Sequence, residues 1–152
     1  MFDKVELKVA TRKDLNFIYH MKKKTLKQYI KEVERWDKKN QRKNLLKRFN
    51  SKKNLIILFS TKKIGCLILR NSKNWIIVEL IAIKLEFQRK GIGTYLMKNI
   101  ILQSQEAKKP IFLQVLKGNK RAVKFYLKLG FLPISESEAT INMQYEIVRL
   151  TQ

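Results

Sequence analysis

The sequence predicts one mixed α/β domain whose sheet is antiparallel in its first half. Three observations carry that prediction. Short apolar segments such as Val5 to Ala10 alternate with period two, as half-buried strands do. Longer stretches such as Leu15 to Val33 place apolar residues at helical spacing. Their order is strand, two helices, three strands, helix, strand, helix, two strands. At 152 residues the chain, 1–152, reads as a single domain able to bury roughly two-thirds of its unfolded surface.

The elements follow in order. Val5, Leu7 and Val9 point one way from the first strand. Thr11 with Asp14 has the spacing of a capping box and starts a helix. Leu15, Ile18, Tyr19, Leu26, Tyr29, Ile30 and Val33 form its apolar face. Trp36 ends or kinks it, and Asp37 opens a second helix with Leu45, Leu46 and Phe49 inward. Asn54 to Ser60, Ile64 to Arg70 and Trp75 to Lys84 read as strands joined by glycine-free turns. Gly91 to Lys108 is a helix, Ile111 to Leu116 a strand, and Asn119 to Leu129 a helix stopped by Gly130. Phe131 to Ile134 and Thr140 to Leu150 complete the sheet.

Composition narrows the function. One cysteine, Cys66, and one histidine, His20, make a zinc site or Cys/His catalysis untenable, so no metal is expected. Cys66 lies in an apolar run and reads as an inert buried thiol. The N-terminus lacks the apolar core of a signal peptide, and Trp75 to Ile83 is too short to span a bilayer. A cytoplasmic protein without a membrane partner is expected. The net charge is +22, and the segment His20 to Lys53 carries +11 of it. Such a field suits nucleic acid or a polyanionic ligand. The excess of 26 Lys over 8 Arg suits a solvated surface better than bidentate phosphate readout. By contrast, Gly130 to Val148 holds no Lys or Arg but has Glu136, Glu138 and Glu146.

The chemistry concentrates after the third strand of the central run. Gln88-Arg89-Lys90-Gly91-Ile92-Gly93-Thr94 joins that strand to a helix. Glycines let backbone approach a ligand, and the helix start presents unpaired N–H groups and a positive dipole end. That is a phosphate cradle. A dinucleotide fingerprint needs a third glycine where Leu96 stands, and the P-loop pattern is absent. A second motif follows: Asn119-Lys120-Arg121-Ala122-Val123-Lys124-Phe125-Tyr126, then Leu129-Gly130-Phe131. Together the two resemble the GNAT family of acetyl-CoA-dependent N-acetyltransferases. The resemblance spans the chain and is specific from about Glu79 to Phe131.

The resemblance implies a mostly antiparallel, splayed sheet flanked by four helices, with acetyl-CoA as co-substrate. It implies that backbone of Ile81 and Ile83 pairs with pantetheine, and that the Ile81 N–H faces the thioester oxygen. It places Gln88, Arg89, Lys90, Gly91, Ile92, Gly93, Thr94 and Asn119 on the donor, and Tyr126 beside the sulfur as the acid for the leaving thiolate. Asn119 also suits a helix cap, and Phe125 suits packing better than Tyr126 does. Family members acting on ribosomal-protein N-termini have a glutamate where Gln114 stands, and Gln cannot take a proton. Glu79 shares parity with Ile81 and Ile83 and is the alternative base, or an ion-pair partner of a lysine. Leu85 replaces a frequent family proline. Tyr29, Trp36 and Gln114 are acceptor-binding candidates, with Asp37, Glu136, Glu138 and Tyr145 beside them. The expected activity is direct acetyl transfer to a primary amine, a small molecule first and a protein N-terminus or lysine second. The competing reading is a GNAT-like module that binds nucleic acid. A homodimer is compatible with both.

Overall fold

The computed structural model describes residues 1–30, 43–47, 49 and 53–147. The strands are β1 (Val5–Val9), β2 (Asn54–Phe59), β3 (Lys62–Asn71), β4 (Ile76–Ile83), β5 (Ile111–Leu116), β6 (Leu132–Glu136) and β7 (Thr140–Tyr145). The helices are α1 (Leu15–Ile30), α2 (Ile92–Ala107) and α3 (Lys120–Leu129), and residues 43–47 are also helical. One mixed, mostly antiparallel sheet runs in the order β1-β2-β3-β4-β5-β7-β6. The expected α/β class and element order hold.

The chain divides into two units, Met1–Leu69 with Leu80–Gly93, and Arg70–Glu79 with Thr94–Gln152. In the first, Ala10, Ile18, Met21, Ile56, Cys66, Ile68, Leu80 and Ala82 form a buried cluster, with Leu45 and Phe49 packed against it. Leu46 is exposed, contrary to expectation, because the short helical stretch turns it to solvent. Leu7 and Val9 also stand open, at 44% and 51% exposure, so the alternation of β1 faces apolar residues outward on this edge strand. The β2–β3 hairpin closes through Ser60 and Thr61, both in the left-handed region at φ 47° and 69°. Two left-handed residues match strand twist, which lets this turn form without glycine.

The capping box is present. The Asp14 carboxylate accepts from the Thr11 N–H at 2.8 Å, and the Asp14 N–H returns to the Thr11 carbonyl at 2.9 Å. Asp14 is nearly fully buried and also receives the Lys63 ammonium at 2.5 Å. Burial pushes the Asp14 carboxyl up, but Lys63 and Thr11 outweigh it and hold it below the ordinary value of 3.8. A depressed carboxylate adds stability above its unfolded pKa and loses it as pH falls through the lower folded one. Asp14→Ala is expected to cost about 2 kcal/mol at neutral pH, the sum of a lost cap and a charge-assisted bond. The difference from wild type should begin to shrink near pH 3.8 and continue to fall as pH drops through the lower folded value, in acid titrations of urea unfolding. A difference that persists unchanged into strong acid would remove the ion pair as its cause.

The second unit packs Phe125, Tyr126, Phe131 and Tyr145 in a chain of tilted and edge-on rings, centroids 5.1 to 5.5 Å apart. β5 pairs antiparallel with β7 along its whole length, Ile111↔Tyr145 to Leu116↔Thr140. Its parallel pairing with β4 covers Ile76–Val78 against Ile111–Leu113. Glu79, Ile81 and Ile83 lie beyond that paired stretch. No helix among the described residues is long and apolar enough to cross a membrane.

Candidate functional site

The first unit supplies the loop. A one-turn helix, Leu85–Phe87, follows β4 and hands the chain to Gln88. The Gln88 side chain turns back, and its Nε2 donates to the Ile83 carbonyl at 2.7 Å, tying loop to strand. Arg89 and Gly91 both have positive φ, 61° and 84°. Positive φ interleaved with ordinary backbone is the kind of reversal by which successive N–H groups can be turned to one side, as in anion-binding loops. α2 begins at Ile92, whose side chain is buried at 1% exposure while its backbone stays at the helix start. Gly93 and Thr94 continue that first turn, whose N–H groups have no partner inside the helix. A Cβ on Gly91 would stand 3.2 Å from Phe2 Cζ, so a larger residue there must shift that ring by a few tenths of an ångström. These features fit a pyrophosphate.

Lysines crowd this unit's rings. Lys62 and Lys90 lie over Phe87 at 5.7 and 5.6 Å, and Lys63 and Lys84 over Phe17 at 5.8 and 5.7 Å. Lys90 therefore packs its charge on an aromatic face, in addition to any role toward an anion. Leu85, where the turn lacks proline, is 77% exposed.

The second unit supplies the ionisable groups. Asn119 caps α3 with its Oδ1, which accepts from the Ala122 N–H at 3.1 Å. That engages its carbonyl oxygen in the cap and not its amide NH2. Tyr126 lies two turns along the same helix and is buried at 9% exposure, whereas Phe125 is only half-buried. The packing role expected of Phe125 belongs as much to Tyr126. Burial alone pushes the Tyr126 phenol up to about 12, above the ordinary value expected from sequence. The Cys66 thiol is pushed to about 12 by the same cause and is inert as expected.

Glu79 faces away from the buried side of β4, in parity with Ile77 and Ile81. Its Oε1 pairs with Arg70 Nε at 3.3 Å, both groups being partly solvated. The ion pair forms with an arginine, not a lysine, and reaches one carboxylate oxygen only. Gln114 is exposed on β5, and its Nε2 donates to Asn142 Oδ1 at 3.1 Å. Sequence reading missed Arg70 and Asn142, whose partnerships depend on strand register rather than local pattern.

Other candidates fall elsewhere. Glu136 pairs with Lys117 at 3.6 Å, and Tyr145 packs on Phe131. Tyr29 lies in α1 with its side chain outside the described residues, as are Trp36 and Asp37 altogether.

Residues 15–131 match the Acetyltransferase (GNAT) family. Similar solved structures include Ard1 from Thermoplasma volcanium, 18% identical, covering 96% of this chain and 99% of that one, TM-score 0.72. PaiA N-acetyltransferase from Thermoplasma acidophilum, in complex with coenzyme A, is 16% identical over 93% and 98%, TM-score 0.72. The ribosomal-protein-S18-alanine N-acetyltransferase of Escherichia coli is 19% identical over 97% and 97%, TM-score 0.68. With the match covering most of its length, and with the glycine loop and tyrosine helix in place, this chain belongs to the GNAT family of acetyl-CoA-dependent acetyltransferases.

Proposed function

We propose that the protein transfers acetyl from acetyl-CoA directly to a primary amine, first of all that of a small molecule. Acetyl-CoA supplies the acetyl group as an activated thioester. The loop Gln88 to Thr94 holds the pyrophosphate through backbone N–H groups, with Arg89 and Lys90 adding charge. Asn119 donates to the same ligand, and the backbone of Ile81 and Ile83 pairs with pantetheine. The Ile81 N–H donates to the thioester oxygen, where negative charge grows as the bond is made. The amine nitrogen forms the C–N bond, the C–S bond breaks, Glu79 takes the nitrogen's proton directly or through water, and Tyr126 protonates the thiolate. Arg70 engages one Glu79 oxygen and leaves the other for the amine.

The observation that carries this reading is Tyr126, a buried phenol that stays protonated until pH approaches about 12. Its raised value does not disqualify it as the acid, because a thiolate in similarly dry surroundings is pushed up as well. Tyr126→Phe is expected to slow turnover at least about tenfold with acetyl-CoA affinity unchanged. Single-turnover and binding measurements together check it, and unaltered turnover would remove the acid role. The pH profile gives a further check. Activity should climb as the acceptor amine loses its proton, with no alkaline limb from Tyr126 until about 12. A tyrosine-dependent fall near the ordinary value of 10 would mean that the phenol is not buried during turnover.

A protein N-terminus or lysine is the second acceptor class. Fold similarity to the ribosomal-protein-S18-alanine enzyme favours it. Gln114, in place of a carboxylate, weighs against it. Acetyl-CoA turnover on a panel of small amines against N-terminal peptides separates the two.

A further inference from the structure

β4 and β5 pair in parallel as Ile76↔Ile111, Ile77↔Phe112 and Val78↔Leu113. The first and third pairs are buried, and Ile77 and Phe112 face the more open side. Glu79 and Gln114 come one step later, on that same open side. Across β5 from Gln114 stands Asn142, and across β7 from Asn142 stands Ser135. Their side chains are bonded in sequence. Gln114 Nε2 donates to Asn142 Oδ1 at 3.1 Å, and Asn142 Nδ2 donates to Ser135 Oγ at 2.9 Å.

We infer that Asn142 and Ser135 are positioning residues that lock the Gln114 amide so that, with Glu79, it seats the two N–H bonds of a primary amine. The inference rests on the acetyl-transfer reading above and deepens it. With its NH2 group held toward β7 by Asn142, the planar Gln114 amide leaves its carbonyl oxygen for the side of β4, the strand that carries Glu79. Arg70 occupies Glu79 Oε1, so Oε2 is the second acceptor. An attacking primary amine has one lone pair and two N–H bonds. Two acceptors satisfy both bonds and leave the lone pair to attack. A secondary amine fills one acceptor only and leaves the other unpaired as the bond forms. The ladder gives Gln114 a purpose that its lack of basicity denied it.

The test uses tyramine and N-methyltyramine. The full-length protein, isotope-labelled and saturated with coenzyme A, is titrated with tyramine while the Gln114 side-chain NH2 signals are followed. Tyramine should shift them, and Asn142→Leu should weaken its binding about tenfold with coenzyme A affinity unchanged. Asn142→Asp should keep wild-type behaviour, because a carboxylate accepts from Gln114 Nε2 as Asn142 Oδ1 does and from the Ser135 hydroxyl where Asn142 Nδ2 donated to it. Should the leucine variant fail to fold, Asn142→Ser, too short to reach Gln114, replaces it. In turnover, wild type should prefer tyramine over its N-methyl form by about tenfold in kcat/KM, and Asn142→Leu should erase the preference. Gln114 signals that ignore tyramine, a preference that survives Asn142→Leu, or an aspartate variant as impaired as the leucine one would each overturn the inference. Tyramine binding at Gln114 without acetyl transfer would uphold the seat and overturn the transferase reading for this amine.

Discussion

Gly91→Glu is expected to lower acetyl-CoA affinity at least about a hundredfold, an effect of about 3 kcal/mol. Three causes act together. Gly91 sits at φ 84°, where an L-residue is strained by about 1–2 kcal/mol and relaxes by rotating its peptide. That rotation removes N–H groups from the seat formed by Arg89 and Gly91. The new Cβ meets Phe2 Cζ at 3.2 Å, so the loop cannot yield toward the N-terminal turn without moving that ring. A carboxylate then stands where the pyrophosphate is proposed to lie, against the dipole of α2. Gly91 is exposed, so the fold should persist and the melting temperature change little. Calorimetry at ~0.15 M salt checks the affinity, since exposed charges are screened beyond about 8 Å there. Gly91→Ala carries the strain without the charge and should lose about tenfold. Wild-type affinity in the glutamate variant would mean that the donor's phosphates bind elsewhere, and that the remaining charge of this basic chain attracts them.

The residues that announced themselves in the sequence are those whose signals are local. Thr11 and Asp14 are three apart, and their capping box needs no other part of the chain. The glycine loop is legible because strand, reversal and helix start are consecutive, although its glycines were read for close backbone approach and Gly91 also takes a positive φ. Arg89, equally reversed, was not foreseen, since arginine has no preference for that region. The second hairpin strand began two residues early because Ser60 and Thr61 turn as tightly as glycine would. What the sequence hid is relational. Arg70 finds Glu79 across adjacent strands, and Asn142 finds Gln114 from 28 residues away. Whether Tyr126 or Phe125 faces the core depends on the roll of α3, which a pattern with two adjacent aromatics leaves undecided. Of the acidic island, Glu136 pairs with Lys117 across such a register contact.

Gly65→Ala should destabilise the fold by about 3 kcal/mol or more, the upper range for overpacking a core, because the obstacle is backbone. A Cβ built on Gly65 would lie 2.2 Å from the Ala82 carbonyl oxygen and 3.1 Å from Ile83 Cα. The constraint is space rather than φ: β3 and β4 approach so closely at this point that no side chain fits between them. The neighbours cannot give way cheaply. Ile64, Cys66 and Leu67 are fully buried around the site, and the Lys84 N–H is held by the Ile64 carbonyl at 2.7 Å. The β2–β3 register already slips between Ile57 and Leu58, beside the Gly65 pairing, so no second adjustment is available there. For a chain of this length the loss corresponds to a fall in melting temperature of roughly 10 °C. Thermal unfolding followed by circular dichroism measures it. Any variant that does fold must push Ala82 and Ile83 aside, and Ile81 and Ile83 are the backbone proposed to receive pantetheine. Acetyl-CoA affinity should therefore drop in the folded fraction although Gly65 touches no ligand. A melting temperature within 2 °C of wild type would mean that the β3–β4 contact relaxes freely. An intact affinity in a destabilised variant would separate the strand's packing from its proposed role toward the donor.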